Sequence, residues 1–136
     1  MEPITITRVV KAPIGTVWTC WVEPEHVMQR NAAADSWHCP VATNDLQVGG
    51  SFSYTMAAKD GSASFDFGGV YDEIIDHQLI RYTMSDGRKV KTTFDPQDDG
   101  VMVTVIFDPE KVNAPELQQQ GRQAILDNFG KHAESC

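Results

Sequence analysis

The stretch DLQVGGSFSYTMAAKDGSASFDFGGVYDEII, residues 45–75, limits how this chain can fold more than any other segment. Phe52, Tyr54 and Met56 alternate with Ser51, Ser53 and Thr55. That period of two sets large apolar side chains on one face of a β-strand and polar ones on the other. Asp60-Gly61 tolerates the positive φ of a tight turn, and Phe65, Phe67 and Tyr71 follow on a return strand of similar length. The segment therefore predicts one long hairpin with an aromatic face. Gly49-Gly50 and Gly68-Gly69 lack side chains where a strand should pack, which predicts bulges that bend the hairpin into a concave surface. Aromatic area left in water forgoes roughly 25 cal/mol per Å² of burial, so something must cover that surface.

The flanking sequence supplies the cover. Ile4 to Val10 alternates as a first strand and ends at Ala12-Pro13. Pro13 suits the first turn of a helix whose stripe is Ile14, Val17, Trp18, Trp21 and Val22. Glu23-Pro24 breaks it and starts a second short helix through about Arg30. Residues 31–44 have no sustained period and read as a loop with one short extended piece around Val41. After the hairpin, Asp76-His77 is a turn, Leu79 to Met84 a strand, Asp86-Gly87 a turn, and Val90, Thr92 and Phe94 mark a further strand. Asp99-Gly100 then leads to Val101, Val103, Val105 and Phe107. This succession predicts an antiparallel meander. From Glu116 to His132 the apolar residues return near helical spacing, and this long helix is the natural cover for the aromatic face. The fold class is α+β: about six antiparallel strands curled around a C-terminal helix, with two short helices after the first strand, in a single domain over residues 1–136.

Composition narrows the function. A formal net charge of -8 repels phosphate backbones and anionic lipid surfaces, which argues against nucleic acid as a partner. No apolar run reaches the length of a membrane span, no secretory leader is read at the N-terminus, and the expected location is cytoplasmic. Cys20, Cys39 and Cys136 are odd in number and widely spaced, against a disulfide framework.

Particular residues resemble one family within this architecture. Ala12-Pro13 with Val17-Trp18, Pro24-Glu25-His26, the run from Asp45 to Phe52, Asp60-Gly61, Gly69-Val70-Tyr71 with Glu73-Ile74, and the run from Gln120 to Phe129 are similar to the proteins related to the activator of heat-shock protein 90 ATPase. These belong to the helix-grip superfamily of birch-pollen allergens, lipid-transfer domains and polyketide cyclases. The resemblance covers nearly the whole chain and implies a helix gripped by a curved sheet. It departs at Arg30 and Arg122, where tryptophan is usual in the family. A guanidinium turned inward at either position would select a carboxylate or phosphate head group; alternatively the stem lies over apolar surface with its charge in water.

No GxSxG elbow, HExxH, phosphate loop or zinc-spaced cysteine pair is present, so no catalytic residue is assigned and no cofactor or metal is expected. His26, His77 and His132 fall on separate elements with nothing at ligand spacing to link them. Asp66 should face away from the aromatic surface. The candidate ligand-binding set is Trp37, His38, Phe52, Tyr54, Phe65, Phe67, Tyr82, Phe94, Arg30 and Arg122. Such a wall suits a small apolar or amphipathic molecule held between the sheet and the last helix. One alternative is a cyclase- or hydrolase-type enzyme using Tyr54, Asp35 or His38 as acid or base. Another is a protein-interaction domain like the chaperone activator; a chaperone partner ranks last, and a homodimer is left open.

Overall fold

The computed structural model describes residues 2–30 and 36–136, and of Arg30 the backbone. Its elements are β1 (Ile4–Val10), α1 (Ile14–Val22), α2 (Pro24–Arg30), β2 (Trp37–Asn44), β3 (Ser51–Ala58), β4 (Ser64–Ile75), β5 (Leu79–Met84), β6 (Lys89–Gln97), β7 (Gly100–Phe107) and α3 (Pro115–Glu134). The strands form one antiparallel sheet in the order β1-β7-β6-β5-β4-β3-β2. Every neighbour in the meander follows its predecessor in sequence, and β1 closes on β7 at the far side.

The sheet has seven strands where the sequence predicted about six. The additional one, β2, occupies most of the segment read as a loop. It is an edge strand, and its register on β3 shifts between His38 and Val41. Pro40 falls within that shift, where its missing N–H costs no ladder bond. An interrupted edge strand carries no clean alternation, which is why period alone did not reveal it.

Gly68 and Gly69 act differently from the bulges expected of them. The β3–β4 register runs without interruption from Ser51↔Val70 to Ala57↔Ser64, and the shift in β4 falls between Tyr71 and Glu73. The glycines are instead sites of close approach. A Cβ on Gly68 would lie 2.3 Å from the Phe52 carbonyl oxygen, and one on Gly69 would lie 2.7 Å from that of Thr83. The strands coil tightly here because no side chain holds them apart.

Inward-facing residues of every strand join the helices in one core that includes Val10, Val103, Phe107, Ile80, Val17, Val27 and Phe129. Trp18 and Trp21 of α1 meet Phe94 edge-on at 5.2 and 5.6 Å between ring centroids, plugging one end of the curl. His77 takes a left-handed backbone conformation at its turn (φ 62°), and its ring stacks on Trp18 at 5.3 Å. α3 packs on β1, α1 and α2. Arg8 of β1 donates to the Asp127 carbonyl at 3.1 Å and pairs with the Asp127 and Glu134 carboxylates, each at 3.3 Å.

Candidate functional site

β3, β4 and β5 carry the inner aromatic wall. Tyr54 lies opposite Phe67, and Tyr71 opposite Tyr82, so these side chains share the concave face of the sheet. Phe52 sits among them, its ring 4.7 Å from that of Tyr82 and 5.3 Å from that of Tyr71. Thr55 donates to Asp66 at 2.8 Å on the opposite, exposed face.

Two spaces open between this wall and α3. The inner one, ≈ 60 Å³, is bounded by Phe52, Tyr54, Phe67 and Tyr82 beneath and by Leu126 and Phe129 above. The outer one, ≈ 320 Å³, opens toward the start of α3 and is walled by Met56, Phe65, Met84, Phe107, Gly121 and Ile125, with Glu110 and Arg88 at its polar rim. Phe67, Arg122 and Ile125 border both.

Arg122 stands at that junction. Its guanidinium carbon lies 4.8 Å from the ring centroids of both Phe67 and Phe107, a cation over two aromatic faces. Among the described residues no carboxylate is in ion-pair contact with it. Arg88, the other cation of the groove, is held by Asp86 at 2.7 Å. The Glu110 carboxylate accepts from the Asn113 backbone N–H at 3.0 Å and from the Asn113 side-chain amide.

Tyr71 is a neutral donor of the inner wall. Burial, with Tyr54 and Tyr82 beside it, pushes the Tyr71 phenol far above its ordinary range. It donates to Asn44 Oδ1, and Asn44 in turn donates to the Val22 carbonyl at 2.7 Å. This chain of bonds fixes the wall to the end of α1.

The sequence-derived residues divide into groups. Phe52, Tyr54, Phe67, Tyr82 and Arg122 border the inner space, and Phe65 borders the outer one. Trp37 packs against Phe65 at 5.9 Å between ring centroids without bordering either space. Phe94 belongs to the tryptophan plug. His38 is on β2 away from both spaces, and its Nδ1 is buried with no hydrogen-bond partner. Asp35 and the Arg30 side chain lie outside what the structure describes. The sequence placed Tyr71 on the aromatic face but left it out of the candidate binding set, and it read the last helix as the cover without assigning Ile125 and Leu126 to the roof of a cavity.

It also left the histidines unlinked. His26 Nδ1 and His132 Nε2 are 2.8 Å apart, and Cys20 and Cys136 flank the pair with their sulfurs 3.5 Å from each other. Elements distant in sequence converge here, and no local spacing could show it.

Residues 11–134 match the family described as Activator of Hsp90 ATPase homolog 1-like protein. The chain belongs to that family. An AHSA1-like protein from Aeromonas hydrophila, solved by solution NMR, is 39% identical with a TM-score of 0.92, over 98% of this chain and 92% of that one. A protein from Cytophaga hutchinsonii is 50% identical with a TM-score of 0.84, again over 98% and 92% of the two chains. A protein from Chromobacterium violaceum shares the fold at 23% identity, with a TM-score of 0.88 over 98% and 99%. No curated protein matches the chain. The family's helix-grip architecture is that of a ligand-binding module of unknown role, and no helix among the described residues is long and apolar enough to cross a membrane.

Proposed function

We propose that this Activator of Hsp90 ATPase homolog 1-like chain binds a small amphipathic anion, with its apolar body in the outer groove and its carboxylate or phosphate head on Arg122. The observation that carries this reading is the Arg122 guanidinium, set between two aromatic rings at the junction of the two spaces with no carboxylate partner among the described residues. A cation so placed keeps its donors for an incoming anion, and the planar fork of arginine matches a carboxylate or phosphate. The outer groove of ≈ 320 Å³ is at the small end of the range for small-molecule sites, while the inner space of ≈ 60 Å³ admits only a short branch of the ligand. Binding is favoured over catalysis because the described residues of the lining bring together no nucleophile with a base, and Tyr71 is committed to Asn44 as a neutral donor.

The test is a pair of ligands of equal chain length, a medium-chain fatty acid and its alcohol, assayed by displacement of an apolar fluorophore. A charge-assisted bond contributes about 1.5–3 kcal/mol, so Arg122→Gln should weaken the acid roughly 10- to 100-fold and leave the alcohol nearly unchanged. Equal losses for both ligands, or no binding of either, would contradict the reading.

A further inference from the structure

We propose that Cys20, His26, His132 and Cys136 form a structural zinc site that ties the end of α3 to α1 and α2. One ligand atom from each of the four residues lies within 4.8 Å of every other. Cys20 comes from α1, His26 from α2, His132 from the last turn of α3, and Cys136 from the segment just beyond it. Chain separations of 116 residues between the cysteines and 106 between the histidines are thus closed at one point.

The geometry approximates a tetrahedral Cys₂His₂ set, with the edge between the histidines short and that from Cys136 to His132 long. With Zn–S near 2.3 Å and Zn–N near 2.0–2.1 Å, the edges of a tetrahedron come to about 3.3–3.8 Å. The sulfurs are 3.5 Å apart, the histidine nitrogens 2.8 Å, and Cys136 Sγ lies 4.0 Å from His132 Nε2. A small rotation of one imidazole exchanges the hydrogen bond between the rings for two metal bonds. His132 and Cys136 stand four residues apart, the spacing that sets two side chains on one face of a helical turn.

The donor set selects the metal. Two thiols and two imidazoles suit zinc and exclude magnesium and calcium, which require oxygen ligands. Two thiolates balance the charge of Zn²⁺, so the metal places no net charge beside the buried Cys20. Four protein ligands fill the tetrahedron and leave no position for water or substrate, which makes the role structural. Cys20 is buried and Cys136 exposed, giving the ion a route in from one side. None of the four residues borders the outer groove or the inner space, so the site is independent of anion binding at Arg122.

The experiment uses the untagged full chain, kept reduced, and titrates it with Co²⁺ as a spectroscopic substitute for Zn²⁺. Strong visible bands of tetrahedral cobalt and a near-ultraviolet thiolate band should saturate at one equivalent and vanish on adding equimolar Zn²⁺. Loss of a second-sphere partner already costs metal sites 10- to 100-fold in affinity, so removing a ligand should cost more than about 100-fold. Cys136→Ser tests this at an exposed position where the core is untouched. Zn²⁺ should raise the Tm of the parent chain and leave that of Cys136→Ser unchanged. The weak bands of six-coordinate cobalt, binding by Cys136→Ser as tight as by the parent, or a Cys20–Cys136 disulfide that persists in reductant would each overturn the proposal.

Discussion

The two halves of α3 do opposite things with the same sheet. From Leu126 onward the helix is clamped: Leu126, Phe129, Gly130 and Ala133 are buried, and Arg8 holds the Asp127 and Glu134 carboxylates from β1. Before Leu126 none of its residues is buried, and Leu117 is 58% exposed. The first turn begins at Pro115 with no side-chain cap on its free N–H groups. The lesson is that grip and cavity are not properties of the whole helix. The clamped half fixes its position and angle, and the other half can then stand off the sheet and leave a groove without loss of fold.

Mutations placed along the helix can break this contrast. The largest effect should come from Phe129→Ala. Its ring is 0% exposed and meets Trp21 at 4.8 Å, so the change should cost about 3–5 kcal/mol in chemical denaturation. Leu117→Ala, on the open half, should stay within about 0.5 kcal/mol. Comparable losses at the two sites would mean that both halves are clamped.

A pH titration extends the comparison to the sheet beneath. Tyr71 has its phenol pushed up by burial, so it stays protonated in the folded protein above pH 10 while the unfolded chain ionises at its ordinary value of 10.0. The folded state then holds the additional proton, and the contribution of Tyr71 to stability is constant below about pH 10 and falls as pH rises beyond it. Each such group steepens the fall by up to about 1.4 kcal/mol per pH unit, and Tyr71→Phe should make the slope shallower. An unchanged slope would show that water reaches Tyr71.

Two glycines of α3 give the smallest effects and the cleanest contrast. A Cβ on Gly130 would lie 2.0 Å from Arg8 Nε and 2.6 Å from its Cδ. Gly130→Ala must push that side chain off Asp127 and Glu134, and overpacking outweighs the gain in helix propensity for a net loss of about 1 kcal/mol. A Cβ on Gly121 meets nothing within 4 Å. Gly121→Ala should therefore stabilise by about 0.5–1 kcal/mol. If both substitutions shift stability in the same direction, the division of the helix is wrong.

Much of this was legible in the sequence, and what was not has physical reasons. The meander was readable because alternation and Asp-Gly turns are local, and Gly61 and Gly87 do adopt positive φ, 79° and 91°. β2 was hidden because Pro40 and the register shift interrupt its period. Gly68 and Gly69 were singled out correctly as special but assigned the wrong cause, since a bulge and a close approach both ask for glycine. Arg122 was visible as a departure from the family's usual tryptophan. Which way its side chain turns depends on how far α3 stands off β4 and β7, a distance set at the other end of the helix. The cluster of Cys20, His26, His132 and Cys136 was invisible for a related reason, because three helices must dock before it exists.

The central claim is that the open half of α3 receives a ligand while the clamped half holds the fold. The most direct test is an ¹H–¹⁵N NMR titration of the labelled chain with a medium-chain fatty acid. Saturable shifts should concentrate at Gly121, Arg122, Ile125, Met84 and Phe107 around the groove, with Arg8, Gly130 and Ala133, which border neither space, unmoved. Shifts centred instead on the clamped half or on the outer face of the sheet, or none at all, would contradict the account.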